Sequence, residues 1–70
     1  MMRKRDYMVS TNSFDEIYPT LKEAHQRAKA YSKQYGESWI QKWKRVDGDM
    51  VIDDNFTIRY EDGIITKEIK

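Results

Sequence analysis

Apolar residues recur at spacings of three and four between residues 20 and 36, TLKEAHQRAKAYSKQYG, where Leu21, Ala24, Ala28, Tyr31 and Tyr35 fall on one stripe. That period places them on a single face of an α-helix and predicts a helix over about 20–36 that needs a partner surface. Thr20 ahead of Leu21, with Glu23 three residues on, reads as a capping box. Pro19 discourages helix before it, and Gly36 suits the stop.

After Gly36 the period changes to two. Residues 38–46 (SWIQKWKRV) read as a strand, Asp47-Gly48 as a hairpin turn and 49–52 as the return. Asp53-Asp54-Asn55 is a break or bulge, after which 56–60, Asp62-Gly63 and 64–69 form a second hairpin, giving hairpins over about 38–52 and 56–69. Upstream, 7–11 (YMVST) is a short strand, and 12–19, holding Asn, Ser, Asp and Pro, connects it to the helix, with Ile17 or Tyr18 folding back on the helix start.

Two-residue loops at both Asp-Gly turns fix which residues oppose each other. They pair Arg45 with Met50, Trp43 with Ile52, Trp39 with Phe56, Tyr60 with Ile65 and Phe56 with Ile69. One face then collects Trp39, Trp43, Met50, Ile52, Phe56, Ile58, Tyr60, Ile65 and Ile69, and should lie under the helix. The other collects Ile40, Lys42, Lys44, Val46, Asp49, Val51, Asp53, Arg59 and Glu68. The fold expected is α+β, ordered β-α-β-β-β: an antiparallel sheet with one amphipathic helix packed on one face.

At 70 residues, 1–70 is a single small domain, near the size below which a chain needs staples. Cysteine is absent, which removes disulfides and thiolate sites, and with one histidine a zinc site is unexpected. No apolar run has the length of a membrane span, and the leader at 1–6 is basic without an apolar segment behind it, so the reading is a cytoplasmic protein with no membrane partner. The net charge of +1 is polarised. Up to Arg45 there are ten Lys/Arg and five Asp/Glu (+5); beyond it there are three and seven (−4).

The search for catalytic chemistry is negative. The three glycines are separated, so no phosphate loop exists. His25 sits at the rim of the helical stripe with no companion set by spacing, and reads as structural or solvent-exposed. Asp47, Asp49, Asp53 and Asp54 lack the order of a calcium loop, and turn chemistry accounts for two of them. No enzyme, metal or cofactor is expected.

Binding signals are stronger. Lys22, Gln26, Lys29 and Lys33 line one exposed helical face, flanked by Arg27. Lys42 and Lys44 are expected on the outer sheet face, and Arg3, Lys4 and Arg5 in the leader. Such a stripe can track phosphates or an acidic protein surface, and it is also how a solvated helix looks. The tryptophans among lysines at 39–45 resemble a stacking platform, but the register sends both inward. Ile40, Val46 and Val51 make an outer apolar patch suited to a partner or a second copy, and the last strand offers an edge that Lys67 blunts.

The order of a short strand, a helix opening Thr20-Leu21-Lys22-Glu23-Ala24, a strand carrying Ile40-Gln41-Lys42-Trp43, and Asp-Gly hairpins resembles small single-domain proteins of phages and mobile elements, including anti-CRISPR-type inhibitors. The resemblance implies a non-enzymatic inhibitor acting in the host cytoplasm. It would occlude the surface of a host protein or ribonucleoprotein complex that handles nucleic acid. That family shares no active site, so no catalytic residue carries over. The contact residues expected are Lys22, Lys29, Lys33, Lys42, Lys44, Arg3, Lys4 and Arg5. The alternative is a small regulator that binds nucleic acid directly through the basic helix face.

Overall fold

A computed structural model describes residues 7–69; the basic leader at 1–6, with Arg3, Lys4 and Arg5, lies outside them. The elements are β1 (Tyr7–Ser10), β2 (Asp15–Tyr18), α1 (Leu21–Tyr35), β3 (Glu37–Val46), β4 (Asp49–Glu61) and β5 (Ile64–Ile69). All strand pairs are antiparallel in the order β2-β1-β3-β4-β5, with α1 against one face. The α+β architecture of one helix on an antiparallel sheet is as expected, with one strand more.

That strand is β2. Thr11 turns the chain: its Oγ1 accepts from the N–H groups of Ser13 (3.1 Å) and Phe14 (3.1 Å), and its own N–H donates to the Phe14 carbonyl at 2.8 Å. The segment at 12–19 is therefore a turn plus an edge strand rather than a plain connection. The composition of Asp15-Glu16-Ile17-Tyr18 hides it, because acidic residues have low strand propensity.

The helix is bounded as its caps dictate. Thr20 is extended, and its side chain accepts from the Glu23 N–H at 3.2 Å. Gly36 ends the helix at φ 98°, a conformation that favours glycine. The buried line on α1 is Ala24, Ala28 and Ser32, small side chains four apart that let the helix backbone approach the sheet. Leu21 and Tyr31 flank that line, whereas Tyr35 is exposed.

Both Asp-Gly turns form, with Asp47, Gly48, Asp62 and Gly63 all at positive φ, as type I′ hairpins require. The first hairpin begins in the expected register, with Val46 opposite Asp49, Arg45 opposite Met50 and Trp43 opposite Ile52. The next pair is Gln41 with Thr57, so residues 53–56 of β4 stand opposite Lys42 alone. Three surplus residues form a wide bulge, closed locally by the Asn55 N–H donating to Asp53 Oδ1 at 3.0 Å. β4 runs through it as one strand.

An odd surplus reverses the faces. Beyond the bulge, Trp39 opposes Arg59 and Ile40 opposes Ile58, instead of Trp39 opposing Phe56. Ile40 is fully buried beside Val9 and Ile58, so it belongs to the helix side, and by strand alternation so do Lys42, Lys44 and Val46. Trp39, Trp43, Met50 and Ile52 lie on the outer face, which corrects the inward assignment of both tryptophans. A second register shift, leaving Thr66 surplus in β5, keeps Ile65 opposite Tyr60 but puts Ile69 opposite Thr57 on the outer face and Glu68 opposite Ile58 on the helix side.

The core is small: Val9, Ala24, Ala28, Ile40, Ile58 and Tyr60, with Tyr7, Tyr18, Leu21, Tyr31 and Phe56 packed around it. Two buried serines are satisfied. Ser38 Oγ donates to the Ala28 carbonyl at 2.6 Å. Ser32 Oγ donates to the Lys29 carbonyl at 2.9 Å and accepts from the Gly63 N–H at 2.8 Å. These bonds tie helix, β3 and the second turn together, and leave no orphaned hydroxyl in a core that cannot tolerate one.

Candidate functional site

Two surfaces emerge from this arrangement. The first is the flank of α1 that carries Lys22, Gln26, Lys29 and Lys33, all exposed. Helical spacing sets them in one row, away from the Ala24–Ala28–Ser32 line. None of the three lysines takes part in an ion pair among the described residues. Lys33 bends over the second turn, so that a Cβ on Gly63 would lie 2.5 Å from its Cε.

Lys42 and Lys44 do not join an outer patch. Lys42 is half-buried opposite Tyr7, on the helix side. Lys44 pairs with Asp53 at 3.8 Å beside the bulge. The helix leaves β2 at the sheet end where Tyr18, Tyr7 and Lys42 are neighbours, and returns to β3 at Glu37. Lys22 and Lys42 thus share one end of the domain, Lys33 marks the other, and the β3–β4 hairpin projects past the helix as an exposed arm.

The second surface is the outer face of the sheet, which α1 does not cover. Register gives its rows. Ile17, Met8, Gln41, Thr57 and Ile69 form one row across all five strands; Asp15, Ser10, Trp39, Arg59 and Lys67 form the next. Trp43 and Ile52 extend it into the arm. At its centre the Arg59 guanidinium lies 5.9 Å from the Trp39 ring centroid and bonds Glu37 at 2.5 Å and Glu61 at 3.4 Å. The Glu37 hydrogen bond holds the Arg59 pKa above its ordinary value, against the opposing effect of burial. The sequence missed this cluster because the bulge that assembles it has no period.

Charge decides what each surface suits. Among the described residues of the outer face Arg45, Arg59 and Lys67 are balanced by Asp15, Glu37 and Glu61, so these residues do not embed the tryptophans in the positive groove that single-stranded nucleic acid requires. The lysines of the row on α1 make no ion pair among the described residues.

His25 is held rather than poised: its Nδ1 and the Tyr60 hydroxyl are 2.7 Å apart, and burial, reinforced by Glu68, raises the Tyr60 pKa. On the opposite flank the Tyr31 hydroxyl donates to Glu16 Oε1, which raises the Tyr31 pKa further. Both tyrosines stay protonated and brace the helix against the sheet. No group of three or more His, Cys, Asp or Glu able to hold a metal ion occurs among the described residues, and among them no helix is long and apolar enough to cross a membrane. Searched against protein-family models, curated proteins and solved structures, the chain gave no match.

Proposed function

We propose that this chain is a non-enzymatic binding protein that engages an anionic surface through the lysine flank of α1, acting as an inhibitor or adaptor by occlusion. The observation that carries the reading is the row Lys22, Lys29 and Lys33, exposed and without an ion pair among the described residues, on a helix whose other side is locked into the core. Cations set in a line attract an anionic partner and speed its encounter. The resemblance of the Thr20–Ala24 and Ile40–Trp43 stretches to anti-CRISPR-type inhibitors extends this proposal to a phage protein that blocks a host nucleic-acid-handling complex. The alternative, a small regulator that binds nucleic acid directly, uses the same row.

A titration separates the two. The wild-type protein and a Lys22→Glu/Lys29→Glu variant are measured against double-stranded DNA, single-stranded RNA and polyglutamate at low and moderate salt. Both substitutions lie on exposed helix surface, and Glu in the first turn suits the helix dipole. Binding to polyglutamate that the double variant loses supports the protein-facing inhibitor. Binding to DNA or RNA whose salt slope falls by about 2 in the variant supports the regulator. Binding to none of the three, or binding unchanged by the reversals, refutes the lysine flank as the site.

A further inference from the structure

The sheet has two edges and one uncovered face, and they are not equally open. β2 is a four-residue edge holding Asp15 and Glu16 and followed by Pro19. β5 carries Lys67 beside the bulge at Thr66. Short length, charge and bulging are the devices by which edges resist strand addition. The outer face surrounds its Arg59–Glu37–Glu61 cluster with apolar side chains: Trp39, Trp43, Met8 and Ile52 are half-buried there, and Ile17, Met50, Ile64 and Ile69 are exposed, Ile64 at 67%.

We propose that a second copy of this chain covers the outer face, sheet on sheet, about a two-fold axis lying between the sheets and running along β3. β3 is the central strand of five, so this rotation lays each β2 edge over the partner's β5 edge. In the charged row it sets Asp15 against the partner's Lys67 and Ser10 against the partner's Arg59, and brings the two Trp39 rings together at the axis. In the neighbouring row it sets Ile17 against the partner's Ile69. A two-fold axis across the strands would instead lay each edge over its own copy, Lys67 on the side of Lys67 and Asp15 on the side of Asp15. The charges select the axis along β3.

The chain's own register supplies a reason for the match. Lys67 stands directly opposite Arg59, and like charges opposed across a strand pair are destabilising, an effect that Glu37 and Glu61 reduce but do not remove by pairing with Arg59. The partner's carboxylate relieves that repulsion at the rim. Five strands spaced at ordinary distances, with the Trp43–Ile52 arm, present roughly 600 Å² per copy, at the low end of stable interfaces. Packed this way the two helices lie outermost, and each lysine flank stays open.

The test is sedimentation equilibrium from about 5 to about 500 µM on the wild type, Asp15→Lys, Lys67→Glu and the double swap, with folding checked by far-UV circular dichroism. Each single swap turns two attractive rim pairs per dimer into repulsive ones and should weaken association about tenfold. The double swap restores both pairs in reverse and should return the dissociation constant to within about threefold of wild type. Rescue within one chain is excluded, because the two edges are about 19 Å apart, beyond the screening length. Tryptophan quenching by acrylamide should fall as concentration rises, since Trp39 and Trp43 become covered. A wild type that stays monomeric throughout, a double swap as weak as both singles compounded, or quenching independent of concentration overturns the proposal and leaves the face to a different protein.

Discussion

Substituting Ile40 and Trp39, neighbours in sequence on opposite faces of β3, tests the register on which the outer-face cluster depends. Ile40 is fully buried between Val9 and Ile58, in a core whose other buried hydrophobic residues among those described are Val9, Ala24, Ala28, Ile58 and Tyr60. Truncation to Ala removes its transfer free energy and leaves a cavity that a stiff sheet cannot close, a cost of about 2–5 kcal/mol. A domain of this size is stable by roughly 4–10 kcal/mol, so Ile40→Ala consumes half of that or unfolds the protein. Trp39 is half-buried on the outer face, and its specific contact is the Arg59 guanidinium. Trp39→Ala loses that cation–π contact, about 0.5–1 kcal/mol, and part of its apolar burial.

Urea unfolding followed by circular dichroism reads the difference as a shift in midpoint at constant slope. It is measured at about 2 µM and again at tenfold higher concentration, so that stabilisation by association is separated from stability of the fold. The expected order is a far larger loss for Ile40→Ala. Had the two-residue turns governed the whole hairpin, Trp39 would fill the core and truncating it would cost about 3–5 kcal/mol. A loss for Trp39→Ala at low concentration equal to or greater than that of Ile40→Ala refutes the bulged register, and with it the outer-face cluster.

Two further outcomes follow from single side chains. Tyr31 and Tyr60 both have pKa values raised above the ordinary 10.0, Tyr31 chiefly by its hydrogen bond to Glu16 and Tyr60 chiefly by burial. The folded protein keeps protons that the unfolded chain releases, so this stability is complete below pH 10 and drains away as pH rises above it. Tyr31→Phe should cost about 1 kcal/mol near neutrality and make the decline from about pH 9 to about pH 11 shallower; parallel declines would show that the Glu16 bond does not hold the proton. Gly63→Ala places a side chain at φ +84°, where the one obstruction is the flexible stem of Lys33. It should cost about 1–2 kcal/mol, matching Gly48→Ala at φ +85° in open space to within about 0.5 kcal/mol. A much greater loss at Gly63 would mean that Lys33 is fixed over the turn.

Local signals in the sequence carried most of the fold. The helix stands where period and caps put it, from Thr20 to Gly36, because capping and amphipathicity act within a few residues. Both Asp-Gly turns are where the dipeptides lie, since positive φ at two consecutive positions is a demand few residues meet. β2 was hidden because an edge strand can be acidic when its carboxylate has a specific use, as Glu16 does with Tyr31. Ser32 and Ser38 gave no hint of burial, because their partners, the Gly63 N–H and the Ala28 carbonyl, meet them only across elements. The lysine row was legible for the same reason as the helix; the Trp39–Arg59 cluster was not, because it unites residues twenty apart through an unpredicted register.

The bulge at 53–56 links these outcomes. A bulge with an even surplus would have left the faces as the turns set them, with Trp39 under the helix and Ile40 in solvent. The actual surplus of three places the slender Ile40 and Ile58 beneath a helix whose contact line is Ala24, Ala28 and Ser32, and sends the bulky indoles to the other side. Small residues on the helix and branched aliphatics on the sheet are the pair that packs closely; an indole at position 39 beneath that helix would force it away from the sheet. The polar triplet Asp53-Asp54-Asn55 therefore does more than interrupt a strand. Closed by the Asn55 N–H on Asp53 and by the Lys44 ion pair, it determines which aromatic residues this protein buries under the helix and which it leaves on the uncovered face of the sheet.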